Sequence, residues 1–329
     1  MATRPKEYAA GLAIVQAAAR LTEAVRLDWS DGQGVSRMQK QDQSPVTVAD
    51  FGVQALVCRL LSESFPQDTI VAEEDSRPLR EAPNLASLAL VTRFVSLQMG
   101  TVSGDMVCGW IDQGMGTPKE RFWVLDPIDG TKGFLRNEQY AIALALVEQG
   151  EVQWGFLACP LLSHGDGIGT ILVARHGGGA ESLSLDGAPM GSAHVSEIAD
   201  PTQARIVESV ESAHTNHDLS HQVRTALGIT KEPLRMDSQA KYAAVARGEA
   251  DIYLRLPSSM SYRENIWDHA AGWLLVKEAG GKVTDIYGRP LDWTQGRRLE
   301  ANSGVVATNG LLHDSVLSTL TALFPAESS

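Results

Sequence analysis

Two aspartates three residues apart are the side chains best placed to do chemistry. Asp126 and Asp129 follow the apolar run F-W-V-L at 122–125, which predicts a short buried strand. We expect both carboxylates to lie where that strand gives way to a turn, with the Ile128 carbonyl between them. Gly130 in that turn would let backbone N–H groups approach an anion. Such oxygens are the ligands that Mg²⁺ prefers, although one acidic pair can equally be a solvated turn.

Further acidic side chains stand at the ends of other predicted elements. Glu73 ends the apolar run at 70–72, Asp50 stands at the predicted N-cap of a helix over 51–61, and Asp268 lies in the first turn of a later helix. If these carboxylates converge with the aspartate pair, the repulsion between any two charges ~4 Å apart costs about 4 kcal/mol at an effective dielectric of about 20. Bound divalent cations would offset that repulsion more readily than raised pKa values.

Three motifs together carry a family resemblance. They are V-A-E-E at 71–74, D-P-I-D-G-T at 126–131 and W-D-H-A-A-G at 267–272. In this order and at these separations they resemble the lithium-sensitive, magnesium-dependent phosphatases of the inositol monophosphatase superfamily, from near residue 5 to near residue 322. The continuation K-G-F at 132–134 is similar to the 3′(2′),5′-bisphosphate nucleotidase branch. The resemblance implies a layered α/β fold with its site at a subdomain junction.

The resemblance also implies two or three Mg²⁺ ions in each active site. One ion would be held by Glu73, Asp126 and the Ile128 carbonyl, and a second by Asp126, Asp129 and Asp268. The pair would clamp the entering and the departing oxygen of an in-line hydrolysis.

A Thr–Asp pair serves as the base in the family that the chain resembles. Here Thr131 would orient the attacking water, and Asp50 would accept its proton through the threonine hydroxyl. That role requires the two side chains to lie within about 2.6–3.2 Å of each other.

Other residues match the nucleotide contacts of the nucleotidase branch. His214, Ser238, Lys241 and Arg255 occupy its positions, and Gly130, Thr131 and Asp268 complete the expected substrate-binding set. The substrate implied is adenosine 3′,5′-bisphosphate, or 3′-phosphoadenylyl sulfate, hydrolysed to AMP or adenylyl sulfate. Alternatives are an inositol mono- or polyphosphate phosphatase and a non-catalytic sensor of the nucleotide. A lone Lys, Arg or His is also often a solvated surface residue.

Composition and net charge exclude some classes of binding partner. The chain has 329 residues, 43% of them hydrophobic, which is enough for two subdomains. A net charge of -12 argues against nucleic acid or an anionic membrane as a partner, and no apolar run is long enough for a membrane span. Its widely spaced cysteines are odd in number, three in all, which predicts free thiols in a reducing compartment. We expect a cytoplasmic monomer or homodimer acting on a small molecule, or an organellar one after removal of a transit peptide.

The order of patterns predicts two subdomains. Residues 1–160 would form an α+β subdomain with most metal ligands, and 161–329 an α/β subdomain with Asp268 and the nucleotide contacts. The first contains predicted helices over 5–28, 50–64 and 84–98, a Gly-rich stretch over 100–118, and a hairpin over 140–159. The second alternates short strands with helices.

Overall fold

The chain folds into alternating layers of helices and sheets. The computed structural model describes residues 5–28, 37–39, 45–210, 217–257, 259 and 261–323. The helices are α1 (Lys6–Asp28), α2 (Val48–Ser64), α3 (Arg77–Arg80), α4 (Leu85–Met99), α5 (Gly104–Asp112), α6 (Thr131–Arg136), α7 (His217–Ala226), α8 (Ala240–Ala246), α9 (Ala270–Glu278) and α10 (His313–Leu323), with short 3₁₀ turns at Ala82–Asn84, Pro201–Gln203 and Ile266–Asp268. The strands are β1 (Arg37–Gln39), β2 (Pro45–Thr47), β3 (Thr69–Ala72), β4 (Arg121–Asp129), β5 (Ala141–Glu148), β6 (Glu151–His164), β7 (Gly167–Arg175), β8 (Gly179–Ser184), β9 (Pro189–Ser192), β10 (Ile206–Glu208), β11 (Leu234–Arg235), β12 (Ile252–Arg255), β13 (Lys282–Thr284) and β14 (Val305–Thr308).

The two larger sheets are sandwiched between three layers of helix, and β1 and β2 form a separate two-stranded sheet. The larger sheet has the order β3-β4-β5-β6-β7-β8-β9, and the smaller has the order β11-β10-β12-β14-β13. Alternate side chains of the larger sheet pack against α1 and α2 on one face, and against α8 and α9 on the other. The same α8 and α9 cover the inner face of the smaller sheet, and α7 and α10 cover its outer face. The expected layered α/β architecture is confirmed.

The boundary placed at residue 160 falls inside a strand. β6 continues through Pro160 to His164, with a register shift between Cys159 and Ser163 where it pairs with β7. Proline has no N–H to donate and is tolerated at such an irregularity, so it did not end the strand. The larger sheet therefore extends to Ser192, and the smaller one begins with β10.

The segment between the first two motifs contains more helix than the sequence predicted. α4 agrees with the helix expected over 84–98, but α5 lies in the stretch expected to be polar and Gly-rich. Ser103 caps α5 by accepting a hydrogen bond from the Met106 N–H at 3.2 Å, and Val107, Cys108 and Ile111 are buried below it. No single helix among the described residues is long and apolar enough to cross a membrane, and the one helix pair that passes jointly is bent by 84°.

Candidate active site at the end of strand β4

A bulge in β4 turns Asp126 and Asp129 to the same side of the sheet. The sequence predicted that the strand ends at Leu125, but pairing with β5 continues through Asp129. Asp126 is paired with Ala143 and Asp129 with Ala141, so three steps along β4 match two steps along β5. In a regular strand, residues three apart point to opposite faces. The extra residue cancels that alternation, and both carboxylates face the same way as a result.

Thr131 and Asp50 are in contact. The Thr131 hydroxyl oxygen lies 3.2 Å from Oδ1 of Asp50 and 3.3 Å from the Ile128 carbonyl oxygen, so its single proton has two acceptors in range. The sequence suggested that Asp50 is the N-cap of α2, and this prediction was wrong. Thr47 is the N-cap, and Asp50 accepts from the Thr47 N–H at 2.8 Å and from its hydroxyl at 2.6 Å, both through Oδ2. This capping box leaves Oδ1 to face Thr131.

Gly130 follows β4 and packs against the segment that precedes α8. Its φ is +87°, and a Cβ at this position would come within 2.9 Å of the Ser238 Cβ, so only glycine fits without displacing its neighbour. Ser238 itself has a φ of +69°. One residue later, the Gln239 N–H donates to Oδ2 of Asp129 at 2.7 Å. The expected substrate contact Ser238 therefore lies beside the expected ligand Asp129.

Asp268 and Glu73 lie close enough to Asp129 for their charges to act on one another, and we call these three residues together with Asp126 the acidic cluster. Burial raises the pKa of Asp268 well above its usual range, and the charges of Asp129 and Glu73 raise it further. Burial likewise raises the pKa of Asp129, to which Glu73 also contributes. Asp126 is buried in the same strand end, with 2% of its surface exposed. Buried carboxylates that repel one another fit the donor set of a hard divalent cation.

Two cations stand next to this cluster. Lys241, in α8, is buried, with its ammonium 3.5 Å from the Met236 carbonyl oxygen and 5.4 Å from the centre of the Tyr253 ring. Burial lowers the pKa of Lys241 to about 8, against the opposing charge of Asp129. Arg255 donates from Nε to both carboxylate oxygens of Glu264 at 3.2 Å. The charges of both cations lower the pKa of Asp129 and so oppose the effect of its burial.

Glu264, Asp268 and His269 each place one ligand-type atom within 4.8 Å of the others. All three have protein contacts, but Asp268 has the weakest, a 3.4 Å hydrogen bond that its Oδ2 accepts from the Asn265 side-chain amide. Nε2 of His269 lies 3.3 Å from Glu264 and Nδ1 lies 2.7 Å from the Tyr242 hydroxyl, so both ring nitrogens are hydrogen-bonded. Arg255 and His269 hold the pKa of Glu264 at about 2, although burial opposes them. Asp268 is therefore the member best suited to a metal ion.

The sequence found most of the side chains that meet here, but it missed several that hold them. His214 lies outside the described residues. Gln239 was not among the predicted site residues, yet its side chain donates to the Trp267 carbonyl at 2.8 Å and accepts from the Gly272 N–H at 3.2 Å. Gln54, which was also missed, accepts from the Glu74 N–H at 2.8 Å. A polar residue within the apolar pattern of α2 is the sequence signal that could have found it.

The fold and the acidic residues agree with the family that nearly the whole sequence matches. Residues 8–323 match the inositol monophosphatase family, and the chain belongs to that family, whose members are generally magnesium-dependent. It is 46% identical to a 3′(2′),5′-bisphosphate nucleotidase of Oryza sativa, over 94% of this chain and 92% of the relative. It is 40% identical to one of Schizosaccharomyces pombe, over 95% and 94%.

Solved structures agree on the fold. An IMPase from Thermotoga maritima superposes with a TM-score of 0.66 at 23% identity, covering 95% of this chain and 96% of the other. The inositol monophosphatase of Anabaena (Nostoc) sp. PCC 7120 gives a TM-score of 0.62 at 21% identity, covering 95% and 94%.

Proposed function

We propose that this chain is a 3′(2′),5′-bisphosphate nucleotidase, a magnesium-dependent hydrolase that converts adenosine 3′,5′-bisphosphate to AMP and phosphate. The sulfated analogue, 3′-phosphoadenylyl sulfate, is the related substrate. Relatives that carry this name match nearly the full length of the chain. The structural observation that carries the proposal is the 3.2 Å contact between Thr131 and Asp50 beside a cluster of carboxylates.

The proposal includes two or three Mg²⁺ ions in the active site. Glu73, Asp126, the Ile128 carbonyl, Asp129 and Asp268 would hold them, and the ions would neutralise the phosphate and make water more acidic. Asp50 receives the Thr131 hydroxyl proton while Thr131 takes the proton of the attacking water. Since Oδ2 of Asp50 already accepts from Thr47, its Oδ1 is the atom that receives the proton.

Cations outside the acidic cluster suit the non-reacting phosphate. Lys241 and Arg255 supply positive charge in a chain whose net charge is -12, which the local site must overcome to attract a bisphosphate. Glu264 binds the Nε of Arg255, which limits the entropy lost when the guanidinium binds an anion. Ser238, beside Gly130, and His214 would contact the nucleoside.

The direct test is phosphate release with Mg²⁺ from adenosine 3′,5′-bisphosphate, inositol 1-phosphate and inositol 1,4-bisphosphate in parallel. We expect the highest kcat/KM for the nucleotide. An Asp50→Asn protein prepared identically sets the background from contaminating phosphatases. A higher kcat/KM for either inositol phosphate would contradict the nucleotidase assignment, and nucleotide binding without turnover would make the protein a sensor.

A further inference from the structure

Arg297 reaches from the C-terminal half of the chain to the end of β3. Its Nη1 lies 3.3 Å from the Gly116 carbonyl oxygen and 3.4 Å from that of Gly114, and its Nη2 donates to the Ala72 carbonyl. The guanidinium carbon lies 4.8 Å from the centre of the Trp267 ring. The side chain therefore contacts the end of β3, the segment after α5 and the segment that carries Trp267.

Two of the residues that Arg297 contacts, Ala72 and Trp267, immediately precede acidic residues. Glu73 follows Ala72, and Asp268 follows Trp267. The Arg297 backbone carbonyl also accepts from the Ile266 N–H at 3.1 Å, so the arginine is fixed to the Asp268 segment by main chain and by ring contact. A planar guanidinium can donate to several carbonyls and stack on an indole at once, which an ammonium cannot.

We propose that Arg297 is a positioning residue that sets the separation of Glu73 and Asp268 and thereby the affinity of the site for its divalent cations. The proposal rests on the proposed function, because it assumes that both carboxylates are metal ligands. Arg297 itself holds no metal and touches no substrate.

The positive charge of Arg297 weakens metal binding, whereas its positioning contacts strengthen it. The direction of the change in metal affinity therefore distinguishes the two effects. Burial lowers the pKa of Arg297, and the carboxylates of Glu73 and Asp75 oppose that shift. A cation this close to Glu73 repels a metal ion. Removing the charge alone would therefore tighten metal binding, whereas removing a positioning contact weakens it.

The experiment uses Mn²⁺ as a paramagnetic probe, titrated into the full chain without substrate, with Arg297→Ala and Arg297→Lys beside the wild type. We expect Arg297→Lys, which keeps the charge, to bind Mn²⁺ about tenfold more weakly, the scale of losing charge-assisted hydrogen bonds, and Arg297→Ala to bind it more weakly than the wild type by a smaller factor. The Mg²⁺ concentration for half-maximal turnover should rise by a similar factor, while KM for the nucleotide at saturating Mg²⁺ stays within about twofold. Arg297→Lys keeps the charge, so it also serves if Arg297→Ala fails to fold.

Arg121→Ala is the matched control. Arg121 begins β4, is partly buried, and pairs with Glu7, Asp68 and Glu148 away from the acidic cluster. Its loss should lower the Tm and leave Mn²⁺ affinity unchanged. Unchanged or tighter Mn²⁺ binding in the Arg297 variants would overturn the inference. A wild-type chain that binds no Mn²⁺ and hydrolyses no phosphate ester would instead overturn the proposed function on which it rests.

Discussion

The hydroxyl oxygen of Thr131 lies 3.2 Å from Oδ1 of Asp50, across 81 residues of sequence. The contact joins the first residue of α6 to the first turn of α2. Asp50 is fully buried and already holds its own helix start through Oδ2. In the Asp50 carboxylate, Oδ2 therefore caps α2, and Oδ1 faces Thr131, the candidate catalytic residue.

Thr131→Ala and Asp50→Asn should each lower kcat by at least about a hundredfold, the usual scale for a positioned base. The double variant should be little worse than either single variant, since the two side chains act on one proton. Steady-state kinetics on all three variants measures this. Losses that simply multiply would show that the residues act separately.

Asp50→Asn also disturbs a helix cap, so its effect on stability needs its own control. Ser103→Ala removes the cap of α5, away from the acidic cluster, at a cost of about 1 kcal/mol. It should lower the Tm and keep the full kcat.

Asp126→Asn should leave less than about a tenth of wild-type kcat, a barrier increase above about 1.4 kcal/mol, and weaken Mg²⁺ binding. Asp126 would contact more than one ion, so its loss affects each of them. Kinetics at several Mg²⁺ concentrations measures both effects. Asp68→Asn is the control, because Asp68 accepts from the Trp123 indole N–H at 2.9 Å near the start of the same strand. Retention of kcat in Asp126→Asn would contradict the metal assignment.

The kcat/KM for adenosine 3′,5′-bisphosphate should fall as the pH rises through about 8. Burial lowers the pKa of Lys241 to about 8, so the free enzyme loses this cation on the alkaline side and keeps it below. kcat/KM reports groups of the free enzyme, which makes it the right quantity to follow. Lys241→Arg keeps its charge and should give a flat profile between about pH 7 and 9. The same decline in that variant would mean that another group titrates.

Arg255→Ala should cost about 1.5–3 kcal/mol in kcat/KM for the bisphosphate, mainly through KM. A substrate without the second phosphate, such as adenosine 3′-monophosphate, should lose much less. The assays belong well below the Tm, since the change leaves Glu264 buried without its arginine. Arg235→Ala, on β11 of the same sheet, is the control for lost charge. Equal losses on both substrates would make Arg255 structural.

Local pattern predicted the positions of most elements and many site residues. Short apolar runs marked β3 and β4, and the acidic residues at their ends were visible because strand ends aim side chains at one edge. The Thr–Asp pair came from the family motif, and the structure places the two side chains in contact. The choice of N-cap was wrong by three residues, since Thr47 and Asp50 both suit a helix start.

The sequence by itself determined the family and the set of acidic residues through its motifs, and the resemblance to that family implied the layered fold. Only the tertiary structure decided that Asp126 and Asp129 face the same way, because side-chain direction depends on how many residues of β5 oppose them. It also decided that Arg297 lies over Trp267 and reaches the carbonyl of Ala72. A contact such as that between Arg297 and Ala72, 225 residues apart, arises from packing and leaves no local pattern in the chain.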